Sequence, residues 1–127
     1  NQGGFQSNDI TFGFKELLNS VNDGFKELKL NTHLWGFWVN INKGSDSNHT
    51  HIHALDMFSV VYYHKVCCED SPLIFSSLVP SIVEDQYIYT PKPQEMVYFP
   101  GWYPHSVKGC NKDNHERISI AFNFKII

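Results

Sequence analysis

Residues Arg117 to Ile126 read RISIAFNFKI, a run whose two faces have opposite chemistry. Successive side chains of a strand point to opposite sides. Ile118, Ile120, Phe122 and Phe124 therefore share one apolar face, and Arg117, Ser119, Ala121 and Asn123 share the other. An Arg face turned into a barrel mouth would bring guanidinium and hydroxyl onto one anion. Turned to solvent, it would make Arg117 a surface charge. Five further runs are also short, aromatic and β-branched: Leu34 to Ile41 (LWGFWVNI), Met57 to Val66 (MFSVVYYHKV), Leu73 to Val79, Tyr87 to Thr90 and Glu95 to Phe99. Clusters of Gly, Pro, Asn, Asp and Ser separate them, and no helical pattern lies between. This spacing predicts a mainly β fold, an antiparallel sandwich or barrel. The polar stretches Asn42 to Asn48 and Gly109 to Glu116 read as turns.

One helix is expected, over about residues 10–29, ahead of a β core over about 33–126. Phe14, Leu17, Leu18, Val21, Phe25 and Leu28 recur at helical steps and form one apolar stripe, while Lys15, Glu16, Asn19 and Lys26 face away. Asp9 or Thr11 is the expected cap, and Gly24 is expected to end or bend the helix. Its apolar stripe should pack on one face of a sheet.

The chain has 127 residues, enough for one domain with its own core, so residues 1–127 are taken as a single domain. Hydrophobic residues make up 42% and aromatics 15%, which excludes a disordered chain. A formal charge of −3 and a pI near 6.1 argue against nucleic acid or an anionic membrane as partner. No apolar stretch reaches the length of a membrane span, and no signal peptide is visible. The three cysteines, Cys67, Cys68 and Cys110, make no disulfide framework and point to a reducing, cytoplasmic setting. The start at Asn1 suggests a fragment or processed form. Oligomeric state is not legible.

The chemistry concentrates in histidines. His49, His51 and His53 alternate with Thr50 and Ile52, so an extended segment puts their imidazoles on one face. His51 and His53 are the favoured pair, with His49 as an entrance residue or alternative ligand. Asp56, three residues beyond His53, is an alternative carboxylate ligand. His105 follows a tight Pro100-Gly101-Trp102-Tyr103-Pro104 turn that fixes the backbone where a strand re-enters the sheet. Three imidazoles on neighbouring strands can hold a divalent first-row metal with open positions. Arg117, twelve residues after His105, supplies a two-pronged carboxylate donor. Metal ligands beside a carboxylate clamp describe a redox enzyme better than a metal store. Trp35, Trp38, Trp102 and Tyr103 are candidate walls of the substrate pocket.

The chain resembles the iron(II)- and 2-oxoglutarate-dependent oxygenases, most closely their short members from phages and marine bacteria. The resemblance rests on Trp38-Val39-Asn40-Ile41, His51-Ile52-His53, Ser59 to Tyr63, Pro72 to Phe75, and Phe99-Pro100 through His105-Ser106 to Arg117-Ile118-Ser119-Ile120 and Phe122-Asn123. It runs from about Gly4 to Phe124. It implies a double-stranded β-helix, a jelly-roll or cupin-like barrel, with the helix packed outside. It implies Fe(II) held by His51, His53 and His105, and 2-oxoglutarate held at its distal carboxylate by Arg117 and Ser119, with Tyr63 assisting and Asn40 a looser contact. It further implies O2 and a small-molecule or peptide substrate, hydroxylated as 2-oxoglutarate is decarboxylated to succinate. The implied setting is a bacterial or phage-infected cell.

The chain departs from this family in three ways. Most members carry His-x-Asp or His-x-Glu where His51-Ile52-His53 stands, so the metal is held by three His or by two His with Asp56. Val60 stands where close relatives tend to carry Gly, and relatives usually have further strands upstream. The competing readings are a cupin-type metal protein without 2-oxoglutarate and a non-catalytic phage domain that keeps the fold.

Overall fold

The computed structural model of the protein describes residues 5–7, 14–43, 46–66, 72–76, 86–109 and 115–127. The three cysteines, the expected caps Asp9 and Thr11, and residues 77–79 lie outside them. The described residues form nine strands and one helix: β1 (Phe5–Ser7), α1 (Phe14–Glu27), β2 (Thr32–Lys43), β3 (Asn48–His51), β4 (Met57–Lys65), β5 (Leu73–Ser76), β6 (Gln86–Tyr89), β7 (Met96–Pro100), β8 (His105–Val107) and β9 (Glu116–Ile126). The six strands read from the alternation are all present. The short β1, β3 and β8 carried no such signal, because three or four residues are too few to show a period.

The strands form two antiparallel sheets, one ordered β1-β2-β9-β4-β7 and the other β3-β8-β5-β6. Together they make the expected double-stranded β-helix, with α1 outside it. Strand β9 lies at the centre of the larger sheet, bonded to β2 on one side and β4 on the other. Its apolar face looks outward onto the helix. Phe122 and Phe124 pack there with Val60 of β4 against Phe14, Val21 and Phe25 of α1. Val60 and Phe122 are fully enclosed, so the position where relatives tend to carry Gly is filled core in this chain.

The helix runs straight through Gly24. The Tyr98 hydroxyl occupies the place where a Cβ on Gly24 would sit, and donates to the Val21 carbonyl at 2.8 Å. Glycine is there to admit a tyrosine from β7. The helix closes with Leu30 N–H donating to the Phe25 carbonyl and Lys29 N–H to the Lys26 carbonyl, both at 3.0 Å. This paired closure needs a left-handed residue, and Lys29 takes it at φ 57°. Leu28 falls in that closing turn and is 49% exposed, so the apolar stripe ends at Phe25.

Between the sheets, Leu73, Phe75 and Phe99 form a second, smaller core with Val61, Val97 and Val107 against it. The rest of that space is an open cavity lined by both polar and apolar residues. No helix among the described residues is long and apolar enough to cross a membrane.

Candidate functional site

The register brings two of the histidines together. Strand β3 ends at His51, β8 begins at His105, and the two residues are direct partners. Their ring centroids are 4.2 Å apart. His53 lies past the end of β3 and is placed by a backbone bond, its N–H donating to the Gly101 carbonyl at 2.7 Å. That close approach requires glycine. A Cβ on Gly101 would sit 3.0 Å from the His53 Cβ and 3.1 Å from Met57 Cβ and carbonyl oxygen. The Pro-flanked turn thus locates two candidate ligands at once, His105 by sequence and His53 by contact.

Candidate ligand atoms of His51, His53 and His105 all lie within 4.8 Å of one another. His51 Nδ1 donates to the His49 carbonyl and His105 Nδ1 to the Tyr103 carbonyl, each at 2.8 Å. A carbonyl can only accept, so the proton of each neutral ring sits on Nδ1, and Nε2 keeps a lone pair for a metal. Burial, followed by the neighbouring His51, lowers the His53 pKa. His105 is pushed down to about 4, chiefly by burial, with the Tyr103 carbonyl opposing and His51 and His53 adding to the depression. Both are therefore neutral donors near pH 7. The set suits a divalent first-row metal.

These rings open into a cavity of about 410 Å³ between the sheets. Its wall also carries Arg117, Ser119, Tyr63, Asn40 and Asn42. The register explains the grouping: Ser119 is flanked by Asn40 on β2 and Tyr63 on β4, and Arg117 is opposite Asn42. The Arg face of β9 is the inner one. Arg117 is 4% exposed and Tyr63 also 4%. The Tyr63 phenol is raised well above the usual range, first by burial and then by Tyr89, with the Arg117 charge opposing and Glu95 adding. It stays protonated and able to donate. A buried guanidinium, a hydroxyl and a phenol on one wall fit a carboxylate.

The structure thus gathers His51, His53, His105, His49, Arg117, Ser119, Tyr63, Asn40 and Trp38 around one cavity. It leaves other candidates elsewhere. Asp56 sits exposed in the turn before β4, outside the cavity wall, and its carbonyl accepts from Ile126 N–H at 2.8 Å. Tyr103 packs on Phe75, with ring centroids 5.8 Å apart, and Trp102 rests against Tyr103, so neither lines the cavity. Trp35 is 61% exposed.

Three polar wall residues escaped the sequence reading as site candidates: Asn42, Ser59 and Asn123. Asn42 was expected to open a loop, yet β2 continues through it to Lys43, where a turn closes on Asp46. The alternation Trp38, Asn40, Asn42 was the available signal. Ser59 Oγ donates to Asn123 Oδ1 at 2.9 Å in a buried pair across β4 and β9.

The sequence model of a family described as "Putative 2OG-Fe(II) oxygenase" matches residues 36–123. No curated protein sequence matches the chain. Among solved structures, an oxidoreductase of the 2OG-Fe(II) oxygenase family from Burkholderia pseudomallei superposes with a TM-score of 0.70 at 15% identity, over 98% of this chain and 64% of that one. A viral collagen prolyl hydroxylase from Paramecium Bursaria Chlorella virus-1, in complex with 2OG, gives 0.73 at 10% identity over 98% and 80%. A cupin domain from Bordetella pertussis gives 0.52 at 13% identity over 99% and 95%. Likeness at these identities is likeness of fold. The chain spans 64% of the length of the Burkholderia protein.

Proposed function

The chain belongs to the 2OG-Fe(II) oxygenase family, and on that footing we propose that it is an Fe(II)- and 2-oxoglutarate-dependent dioxygenase acting on a small-molecule or peptide substrate. The observation that carries this reading is the shared cavity, lined by three imidazoles and by a buried arginine. His51, His53 and His105 hold the metal. Arg117 and Ser119 take the distal carboxylate of 2-oxoglutarate, Tyr63 donates to it, and Asn40 borders it. When bound, iron and 2-oxoglutarate supply the oxidising chemistry, in which O2 is consumed, 2-oxoglutarate becomes succinate and a substrate C–H bond is hydroxylated.

The protein's own residues bind, orient and exclude water. The carbonyls of His49 and Tyr103 hold two imidazoles in the ligating tautomer. The Leu73, Phe75 and Phe99 cluster closes the space beside His105 and keeps that ring dry. Trp38 lines the cavity, paired with Ala121 in the register.

Two measurements test the reading. Anaerobic addition of Fe(II) and 2-oxoglutarate should produce a weak visible charge-transfer band that Arg117→Ala weakens. Succinate should form from 2-oxoglutarate once a substrate is supplied. No band under any loading would retire the assignment. The all-imidazole ligand set also suits a cupin-type metal protein without 2-oxoglutarate, a reading that leaves the buried Arg117 and Ser119 without a task. Metal binding with no 2-oxoglutarate binding would select it.

A further inference from the structure

The inner face of the larger sheet is layered. Past the row of Ser119 come Trp38 and Ala121, and then Gly36, Asn123 and Ser59 as direct partners. Ser59 also pairs with Phe99, whose ring centroid lies 4.8 Å from that of His105, so this last row reaches the imidazole cluster. Asn123 lines the cavity and is only 4% exposed. Ser59 Oγ donates to Asn123 Oδ1 at 2.9 Å, which fixes the rotation of the amide. Among the described residues, Ser59 is the one hydrogen-bond partner of that side chain, and Nδ2 is not sealed from the cavity. The amide therefore presents two N–H donors to the open space. Beside it the Trp38 indole leans over Gly36, where an added Cβ would sit 3.5 Å from Trp38 Cζ3. A donor this deeply placed is costly to leave unmatched, and a ligand acceptor removes that cost.

We propose that Asn123 reads the prime substrate: its amide donates to a neutral carbonyl acceptor, an amide or ester, whose apolar body lies on Trp38. Ser59 is a positioning residue that acts through Asn123. The inference rests on the oxygenase reading and names the substrate class for it. Ser119 and Asn123 are four residues apart on β9, about 13 Å along a strand. The carbon chain of 2-oxoglutarate covers about 6 Å, at about 1.5 Å for each C–C bond. A cosubstrate seated on Ser119 thus falls short of the Asn123 row, and the amide is left to the substrate. Gly36, Asn123 and Ser59 bear no charge, which favours a neutral group there. An ammonium group has donors only and would meet the donors of the amide.

The test titrates two probes into the Zn(II)- and 2-oxoglutarate-loaded protein, read in its proton–nitrogen NMR spectrum. Benzamide offers a carbonyl acceptor. Benzylamine has the same ring and a similar size, and offers only ammonium donors. Benzamide should shift the Asn123 side-chain NH2 resonances and bind at least about fivefold tighter than benzylamine. Asn123→Leu should weaken benzamide about 3- to 10-fold, the worth of one neutral hydrogen bond, and leave benzylamine and 2-oxoglutarate within about twofold. Ser59→Ala should weaken benzamide about two- to threefold, since the amide is kept but free to turn. Unmoved NH2 resonances overturn the proposal. So does an Asn123→Leu protein that weakens both probes alike, which marks the pair as scaffold, or one that weakens 2-oxoglutarate alone, which hands the amide to the cosubstrate. Where a variant does not fold, the wild-type NH2 shift decides in the same two directions. Failure of Zn(II) or 2-oxoglutarate to bind is a separate result. It removes the earlier assignment, and the same titration of the metal-free protein then upholds or overturns this one.

Discussion

The two faces of β9 differ in what they tolerate. Outward, Phe122 and Phe124 lie beneath α1 in a dense aromatic cluster, with Phe25 and Phe124 centroids 4.6 Å apart. Inward, Arg117, Ser119 and Asn123 border an open cavity. One strand thus packs the core with its even positions and borders the cavity with its odd ones. The comparison teaches that the two properties can be damaged separately, because successive side chains of a strand point to opposite faces.

The largest break should come on the apolar face. Phe122→Ala deletes a fully enclosed ring and should cost about 3–5 kcal/mol of unfolding free energy. In whatever fraction stays folded, metal affinity should be close to wild type. A denaturation midpoint that barely moves would refute the assignment of this face to the core. On the inner face, Arg117→Ala removes a charge-assisted donor pair and should weaken 2-oxoglutarate binding about 10- to 100-fold. Metal binding without cosubstrate should persist. Calorimetry on the Co(II) protein reads both, and an unaltered 2-oxoglutarate affinity would break the comparison on its functional side.

Two glycines sharpen it further. Gly101→Ala puts a methyl group against His53 and Met57, so metal affinity should fall about tenfold, with about 1–3 kcal/mol lost from stability. Unchanged metal binding would show that the turn does not place His53. Gly24→Ala lies under the outer core. In most helices this exchange stabilises by about 1 kcal/mol. Here it should destabilise by about 1–2 kcal/mol, since the new methyl collides with the Tyr98 hydroxyl. Cosubstrate affinity should not change. A stabilised Gly24→Ala protein would mean that Tyr98 rests elsewhere.

Much of this was legible in the amino-acid order, and the residues show why. The alternation of RISIAFNFKI sorted the residues of β9 onto two faces, because burial on one side imposes period two, and left open which face points inward. The helix stripe was legible up to Phe25, and Leu28 was overcounted because the closing turn at Lys29 has no glycine to announce it. Asn42 was hidden by its own context, since Asn-Lys-Gly resembles a turn and outweighs the alternation that pairing with Arg117 confirms. The Ser59–Asn123 bond spans 64 residues, and no local pattern signals such a contact.

What the sequence determined alone was local: which residues alternate, which segment can be a helix, and which side chains carry metal- and anion-binding chemistry. Tertiary structure decided the rest. It turned the Arg face of β9 inward, set His51 beside His105, drew in His53 through Gly101, and left Asp56, Trp102 and Tyr103 outside the cavity. The physical reason is that side-chain direction follows from the chain's own period, whereas proximity follows from strand pairing between distant segments. Pairing is settled only when all the apolar faces find cover together.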